Sequence, residues 1–172
     1  AQNFGYPVFS ADNEVAKLYR TDKEIFKKLN RILPEYFVSF PIEKKTVLYA
    51  ILANNNNLKK IVKVVHLEIR KKMNNFLKKN NKKKIIILDI PLLMENKINK
   101  KKDVLVYVDS KKSEILKRLK KRKNFNSKLF KKFKNIQFSS EYKKKKSHFI
   151  IKNNFTKKFV KEGISNILKE IL

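Results

Sequence analysis

Cysteine and tryptophan are absent from the 172 residues, and glycine occurs only at Gly5 and Gly163. Without cysteine there is no disulfide and no thiolate metal site. Two histidines are too few for a histidine-rich metal centre. No apolar run approaches the roughly 18 residues needed to cross a bilayer. No apolar h-region follows Ala1, so no secretory signal is visible. Acidic side chains are also scarce, 15 against 44 Lys+Arg, for a net charge of +29. The expectation is a soluble, cytoplasmic protein with no membrane partner.

What is present is narrow in kind. Lysine accounts for 39 residues, asparagine for 19 and isoleucine for 18, together 76 of 172, while arginine occurs five times. An apolar content of 42% is enough for a core, and the length suits one domain with room for a small insertion. So basic a chain invites a nucleic-acid reading. Yet recognition of bases and phosphates favours the planar arginine fork, which this chain nearly avoids. Lys, Asn and Ile are the residues of A/T-rich codons, so composition bias on solvent-facing positions explains most of the charge. A phosphate-rich small substrate would also benefit from such a field. Any nucleic-acid binding is expected to be weak, salt-sensitive and indifferent to sequence.

Pattern supplies the elements. Tyr6–Ser10 reads as extended and Asp12–Tyr19 as helical. Thr21-Asp22 can cap a helix carrying Ile25, Phe26, Leu29 and Leu33. Glu43–Ala53 reads as a helix with Val47, Leu48 and Ile51 inward. Asn57 can cap Leu58–Lys79, the clearest helix, whose stripe includes Ile61, Val65, Ile69 and Met73. The period then changes. Ile85–Leu88 and Val104–Val108 are continuous apolar runs, as in strands buried on both faces of a parallel sheet. Ser110 can cap a helix over Lys111–Arg122 with Ile115, Leu116 and Leu119 inward. Lys123–Ser147 reads as helical and projecting, with Phe125, Phe130, Phe133 and Phe138 in a local cluster. Phe149–Ile151 is a further strand, and Thr156 caps a last helix ending at Leu172. Strands alternating with helices predict an α/β fold.

Two carboxylates stand at informative places: Asp89 directly after Ile85–Leu88, and Asp12 shortly after Val8-Phe9. In open parallel sheets ligands bind outside the carboxyl ends of the strands, and an Asp ending a buried strand is one way to hold Mg²⁺. Asp89 equally suits the start of a turn before Pro91 or the cap of a helix beginning there. Asp12 equally suits an N-cap.

The stretch Asp89-Ile90-Pro91-Leu92-Leu93-Met94-Glu95 resembles the D-x-P-L-L-x-E segment of dephospho-coenzyme A kinases. Further matches follow in order: Phe9-Ser10-Ala11-Asp12, Val65-His66-Leu67-Glu68-Ile69-Arg70, Val104–Asp109 with Ile115–Arg122, Ile136-Gln137, and Ile150–Asn154. Together they span roughly residues 4 to 170. Leu67 stands where that family usually has proline, and Ser10 and Lys152 where acidic residues are common. The family opens on a strand, a Gly-rich P-loop ending in Gly-Lys-Ser/Thr, and the helix it caps. Nothing in the 172 residues matches that, and Ala1–Gly5 resembles the end of that helix. The expectation is a chain that starts after the phosphate cradle and lacks a strand between Ile85–Leu88 and Val104–Val108. As written it is not expected to be a competent kinase.

The resemblance implies an α/β, P-loop kinase-like three-layer parallel sheet. Residues 1–20, 84–122 and 148–172 would form the core, 21–83 a helical substrate-binding region and 123–147 a lid. It implies phosphoryl transfer from ATP, with Mg²⁺, to the ribose 3′-hydroxyl of dephospho-coenzyme A. Asp12 would orient or deprotonate that hydroxyl, and Asp89 would hold Mg²⁺ directly or through water. His66, Arg70, Leu92, Leu93 and Glu95 would serve the acceptor, and Arg118 and Arg122, four apart on one helix face, the ATP phosphates. The competing readings are a Lys-rich nucleic-acid-binding protein and an inactive relative that only binds substrate.

Overall fold

The computed structural model describes residues 4–122 and 125–172. The first residues of the Ala1–Gly5 motif and Lys123, the expected start of the lid, lie outside the described residues. The chain is α/β with parallel strands and divides into two compact units, one ending at Pro91 and the other spanning Leu92–Leu172.

In the first unit, β1 (Val8–Ser10) pairs in parallel with β2 (Ile87–Asp89), in the register Val8↔Ile87, Phe9↔Leu88, Ser10↔Asp89. Between them run α1 (Ala11–Thr21), α2 (Lys23–Ile32), α3 (Lys44–Ala53) and α4 (Asn55–Lys79). The Asp22 side chain accepts the Ile25 amide and starts α2, as the sequence predicts. The long α4 packs against α1, α2 and α3. Its i, i+4 series Ile61, Val65, Ile69 and Met73 is buried with Leu18, Ile25, Leu29, Val47 and Ala50. Phe9 of β1 meets Phe76 of α4 with ring centroids 5.6 Å apart, which seats the short sheet on the helices.

The cap of α4 differs from expectation. Asn54, not Asn57, holds the N-cap and accepts the Asn56 amide. Asn57 lies inside the helix, buried, and its Nδ2 donates to the Ala50 carbonyl at 3.0 Å. That bond supplies an acceptor for an amide otherwise cut off from water.

In the second unit, β3 (Val106–Asp109) pairs in parallel with β4 (Phe149–Lys152), ending in Asp109↔Lys152. The helices are α5 (Lys112–Lys120), α6 (Ser127–Ile136), α7 (Ser140–Lys146) and α8 (Lys157–Ile171). The His148 Nδ1 accepts the Leu105 amide at 2.9 Å, and the Leu105 carbonyl accepts the amides of His148 and Phe149, so the β3–β4 pairing is tied where it starts. α8 lies on β4. A Cβ built on Gly163 would come 3.3 Å from Ile151 Cγ2, so the missing side chain is what lets helix and strand approach.

Several inward assignments fail here. Val106 and Val108 are 41% and 55% exposed, and β2 is at most half-buried, so neither apolar run is covered on both faces. Each strand bonds one neighbour, and the pleat turns alternate side chains away from the covered face: Ile151 is buried while Ile150 is exposed. α5 buries no residue, and Ile115 and Leu116 are exposed. Lys111 rather than Ser110 occupies its N-cap, without a side-chain bond. Thr156 does occupy the N-cap of α8, but it too makes no side-chain cap bond. The four phenylalanines do not gather in one cluster. Phe125 pairs with Phe130, while Phe138 packs edge-on to Tyr142 at 4.9 Å.

Candidate active site

In the first unit the parallel pairing brings the carboxyl ends of β1 and β2 level, and the register sets Ser10 opposite Asp89. Ser10 Oγ lies 3.5 Å from Asp89 Oδ2, the long limit of a hydrogen bond, and the carboxylate stays exposed. No helix begins at Pro91, so Asp89 caps none and stands at a strand end. α1 starts one residue after β1. Ser10 takes its N-cap position with extended backbone, and Asp12 falls in the first turn rather than at the cap. There the amide ends of the helix favour an anionic side chain, and Asp12 faces solvent. The two carboxylates that the sequence singles out thus lie at the same ends of two paired strands.

His66 and Arg70 are one turn apart on α4. His66 is half-buried, and that burial, followed by the Arg70 charge, holds its imidazole below the ordinary histidine range. Both effects favour the neutral imidazole, a hydrogen-bonding group, over the cation. Arg70 and Leu67 reach solvent, Leu67 at 58% exposure.

In the second unit, residues 92–97 form successive turns. Leu92 adopts a left-handed φ of 55°, and its carbonyl accepts both the backbone amide and the Nδ2 of Asn96 at 3.0 Å. Leu92 and Leu93 are half-buried. The Glu95 side chain is only 7% exposed, and its carboxylate is held by two donors. Its Oε1 accepts from Lys143 Nζ at 2.8 Å and from the Phe138 amide at 2.9 Å. Lys143 Nζ also donates to Gln137 Oε1 at 3.4 Å. Burial alone would push the Glu95 carboxyl up, but the Lys143 hydrogen bond and nearby backbone N–H groups together hold it below its ordinary value. A second pair joins Lys144 to Asp109 at the end of β3, at 2.7 Å.

Arg118 and Arg122 do not share a helix face. α5 ends at Lys120, Lys121 is its C-cap, and Arg122 lies beyond it, its amide donating to the Leu119 carbonyl. Lys117, Arg118, Lys120, Lys121 and Arg122 crowd five cations into six positions, and their repulsion disfavours a further helical turn. Arg118 places its guanidinium carbon over the Phe155 ring, 4.0 Å from the centroid. Beside it a cavity of about 250 Å³ is lined by Glu114, Lys117, Arg118 and Lys121.

Sequence reading missed the partners of these groups. Nothing distinguishes Lys143 or Lys144 within the run Lys143–Lys146. A carboxylate in so basic a chain does signal that some lysine will meet it. Phe155 gives no signal at all.

Comparison with known proteins supplies the frame for this geometry. The family model for dephospho-CoA kinase matches residues 1–158. The dephospho-CoA kinase of Wolbachia pipientis wMel is 30% identical over 172 residues, covering 99% of this chain and 88% of its own. That of Bartonella henselae is 27% identical over 170 residues, covering 98% and 87%. Among solved structures, TT1252 from Thermus thermophilus superposes with a TM-score of 0.75 at 22% identity, and the dephospho-CoA kinase from Campylobacter jejuni with 0.64 at 22%. Each alignment spans 99% of this chain and 87% of the other. With nine-tenths of its length under the family model and a 30% identical relative aligned over 99% of it, the chain belongs to the dephospho-CoA kinase family.

Proposed function

We propose that the protein transfers the γ-phosphoryl group of ATP to the ribose 3′-hydroxyl of dephospho-coenzyme A, giving coenzyme A and ADP. The observation that carries this reading is the pairing of β1 with β2, which ends both strands level and sets Asp12 and Asp89 beside that edge in a chain of this family. Asp12 accepts the hydroxyl proton as the 3′-oxygen bonds to the γ-phosphorus and the bond to the β,γ-bridging oxygen breaks. Its exposed place on α1 gives an incoming ribose direct access.

Mg²⁺ fits the donors at this edge. It takes one or two carboxylates and completes its shell with phosphate and water oxygens. Asp89 offers one exposed carboxylate with the Ser10 hydroxyl next to it. Among the described residues no three His, Cys, Asp or Glu side chains form a metal cluster, and Mg²⁺ of this kind requires none. When bound, the ion would neutralise phosphate charge.

We assign Arg118 and Arg122 to ATP phosphates. Neutral His66 and the guanidinium of Arg70 serve the acceptor, the latter by pairing with phosphate. Leu92 and Leu93 shape the acceptor side, and Glu95 supports it. Residues 21–83 are the acceptor-binding region, 123–147 the lid, and the enzyme works in the cytoplasm. The 172 residues contain no Gly-rich phosphate loop, and no cradle for the β- and γ-phosphates is assigned among them. Both substrates are polyanions, so the charge of +29 raises their local concentration without requiring a nucleic-acid partner.

The 172 residues alone, without a phosphate loop, are expected to be inactive. The direct test is therefore ATP-dependent conversion of dephospho-coenzyme A to coenzyme A by the same residues preceded by a relative's first strand and P-loop, followed by chromatography. Transfer to another position of the acceptor, or none under conditions where a relative is active, would refute the reading. Arg70→Ala is expected to raise the KM for dephospho-coenzyme A about 10–100-fold, the loss of one charge-assisted contact. The KM for ATP should stay within twofold. Equal effects on both substrates would move Arg70 out of the acceptor site.

A further inference from the structure

Phe155 stands in the turn between β4 and α8 with φ of 64°, in the left-handed region that bulky side chains avoid. Two asparagines hold it there. The Phe155 amide donates to Asn153 Oδ1 at 2.8 Å. The Thr156 amide and hydroxyl both donate to Asn154 Oδ1, at 3.1 and 2.8 Å. The Asn153 amide in turn donates to the Asp109 carbonyl, which ties the turn to the end of β3. The backbone is thus fixed on both sides of a residue where glycine would sit without strain. What the aromatic side chain gains from this placement is the Arg118 guanidinium, 4.0 Å above its ring. A cation over a ring face is held by the ring quadrupole, and a guanidinium anchored there has five N–H donors with which to meet a ligand.

We propose that Phe155 is a positioning residue for Arg118, holding the guanidinium in one orientation so that its N–H edge is ready for nucleotide phosphates. A long arginine loses rotamer entropy when it binds a ligand. An arginine already held over a ring has lost much of it beforehand. This inference rests on the assignment of Arg118 to ATP, and the test separates the two.

The test is a double-mutant cycle on the full chain, with ATP affinity read by calorimetry. Phe155→Leu is expected to weaken ATP binding about 3–10-fold, and Phe155→Tyr to stay within twofold. In an Arg118→Ala background, Phe155→Leu should change ATP affinity by less than twofold, because the group it positions is gone. Phe155→Gly suits the left-handed turn and guards against misfolding, and it should match Phe155→Leu. In the free protein the Arg118 Nε–H resonance, shielded by the ring, should move downfield in both the Leu and Gly variants. Equal weakening in both backgrounds would show that Phe155 acts on the nucleotide or on the fold, overturning the proposal. So would an unchanged ATP affinity in Phe155→Leu alongside a weakened one in Arg118→Ala. If Arg118→Ala alone left ATP affinity unchanged, the assignment of Arg118 would fall, and this inference with it.

Discussion

Asp12→Asn is expected to lower kcat by about 10²–10⁴-fold, the range that a positioned general base contributes. Asparagine keeps the shape of the side chain and can still orient a hydroxyl, but it cannot take the proton. Asp12 faces solvent in the first turn of α1, and the cap position belongs to Ser10, so little of the fold depends on its charge. Removing an anion from a helix start costs only about 0.3–1 kcal/mol. The KM values for both substrates should move less than about threefold, because the loss falls on the transition state rather than on binding. Asp89→Asn should behave differently, raising the Mg²⁺ concentration needed for half-maximal rate. Steady-state kinetics across a Mg²⁺ titration distinguishes the two. A kcat for Asp12→Asn within fivefold of the parent would remove Asp12 from the chemistry.

Lys143→Met is expected to destabilise the second unit by about 2–4 kcal/mol, close to the cost of breaking a buried ion pair. The reason is asymmetry between the partners. The Glu95 side chain is only 7% exposed, whereas Lys143, at 18%, has a long flexible stem that can carry its ammonium outward. Without Lys143 the carboxylate keeps the Phe138 amide but loses its counter-charge. Glu95→Gln leaves an acceptor for that amide and frees the ammonium to swing outward, so it should cost less, about 1–2 kcal/mol. The Phe138 amide reports the difference, since it donates to Glu95. Its hydrogen exchange should accelerate by about 30-fold or more in Lys143→Met, and less in Glu95→Gln. The pH dependence follows from the lowered Glu95 carboxyl. A carboxyl held below its unfolded value of about 4.5 contributes stability that is complete above that value. That stability is lost as pH falls through the lower folded value. The parent should therefore lose Phe138 protection only below about pH 4.5, and Glu95→Gln should show a flatter profile. Exchange at Phe138 that is indifferent to both substitutions would dismiss the pair as structural support.

Local chemistry determined how much of this was legible in advance. Asp22 starts α2 because an Asp before an amphipathic run offers the amides one obvious acceptor, and the stripe from Ile61 to Met73 needs only helical periodicity to be seen. The four asparagines at 54–57 offer four similar caps. Asn54 takes the role because it alone keeps extended backbone, and Asn57 is drawn inward by a carbonyl of the preceding helix, a partner that no local pattern reveals. The run Val104–Val108 suggested two covered faces, but continuity of apolar residues does not state how many faces a sheet will hide, and Val106 and Val108 stay exposed. Arg118 and Arg122 have helical spacing in the sequence, yet spacing cannot show that the helix stops at Lys120. Lys143 is chosen over three identical neighbours by where α7 places it, information that exists only in three dimensions.

The uneven burial of apolar side chains has a thermal consequence. Among the described residues, the first unit buries apolar side chains from Phe9 to Met73, whereas the second buries only Leu129 and Ile151. Exposure of apolar surface is what raises the heat capacity on unfolding. The first unit should therefore carry most of that increment and follow a strongly curved stability profile, weakening on cooling as well as on heating. The second unit leans more on polar ties: Lys143 to Glu95, Lys144 to Asp109, and His148 to Leu105. Its profile with temperature should be flatter. Added salt would loosen the more open Lys144–Asp109 pair first, while strengthening the effective burial on which the first unit depends if the anion is sulfate or phosphate.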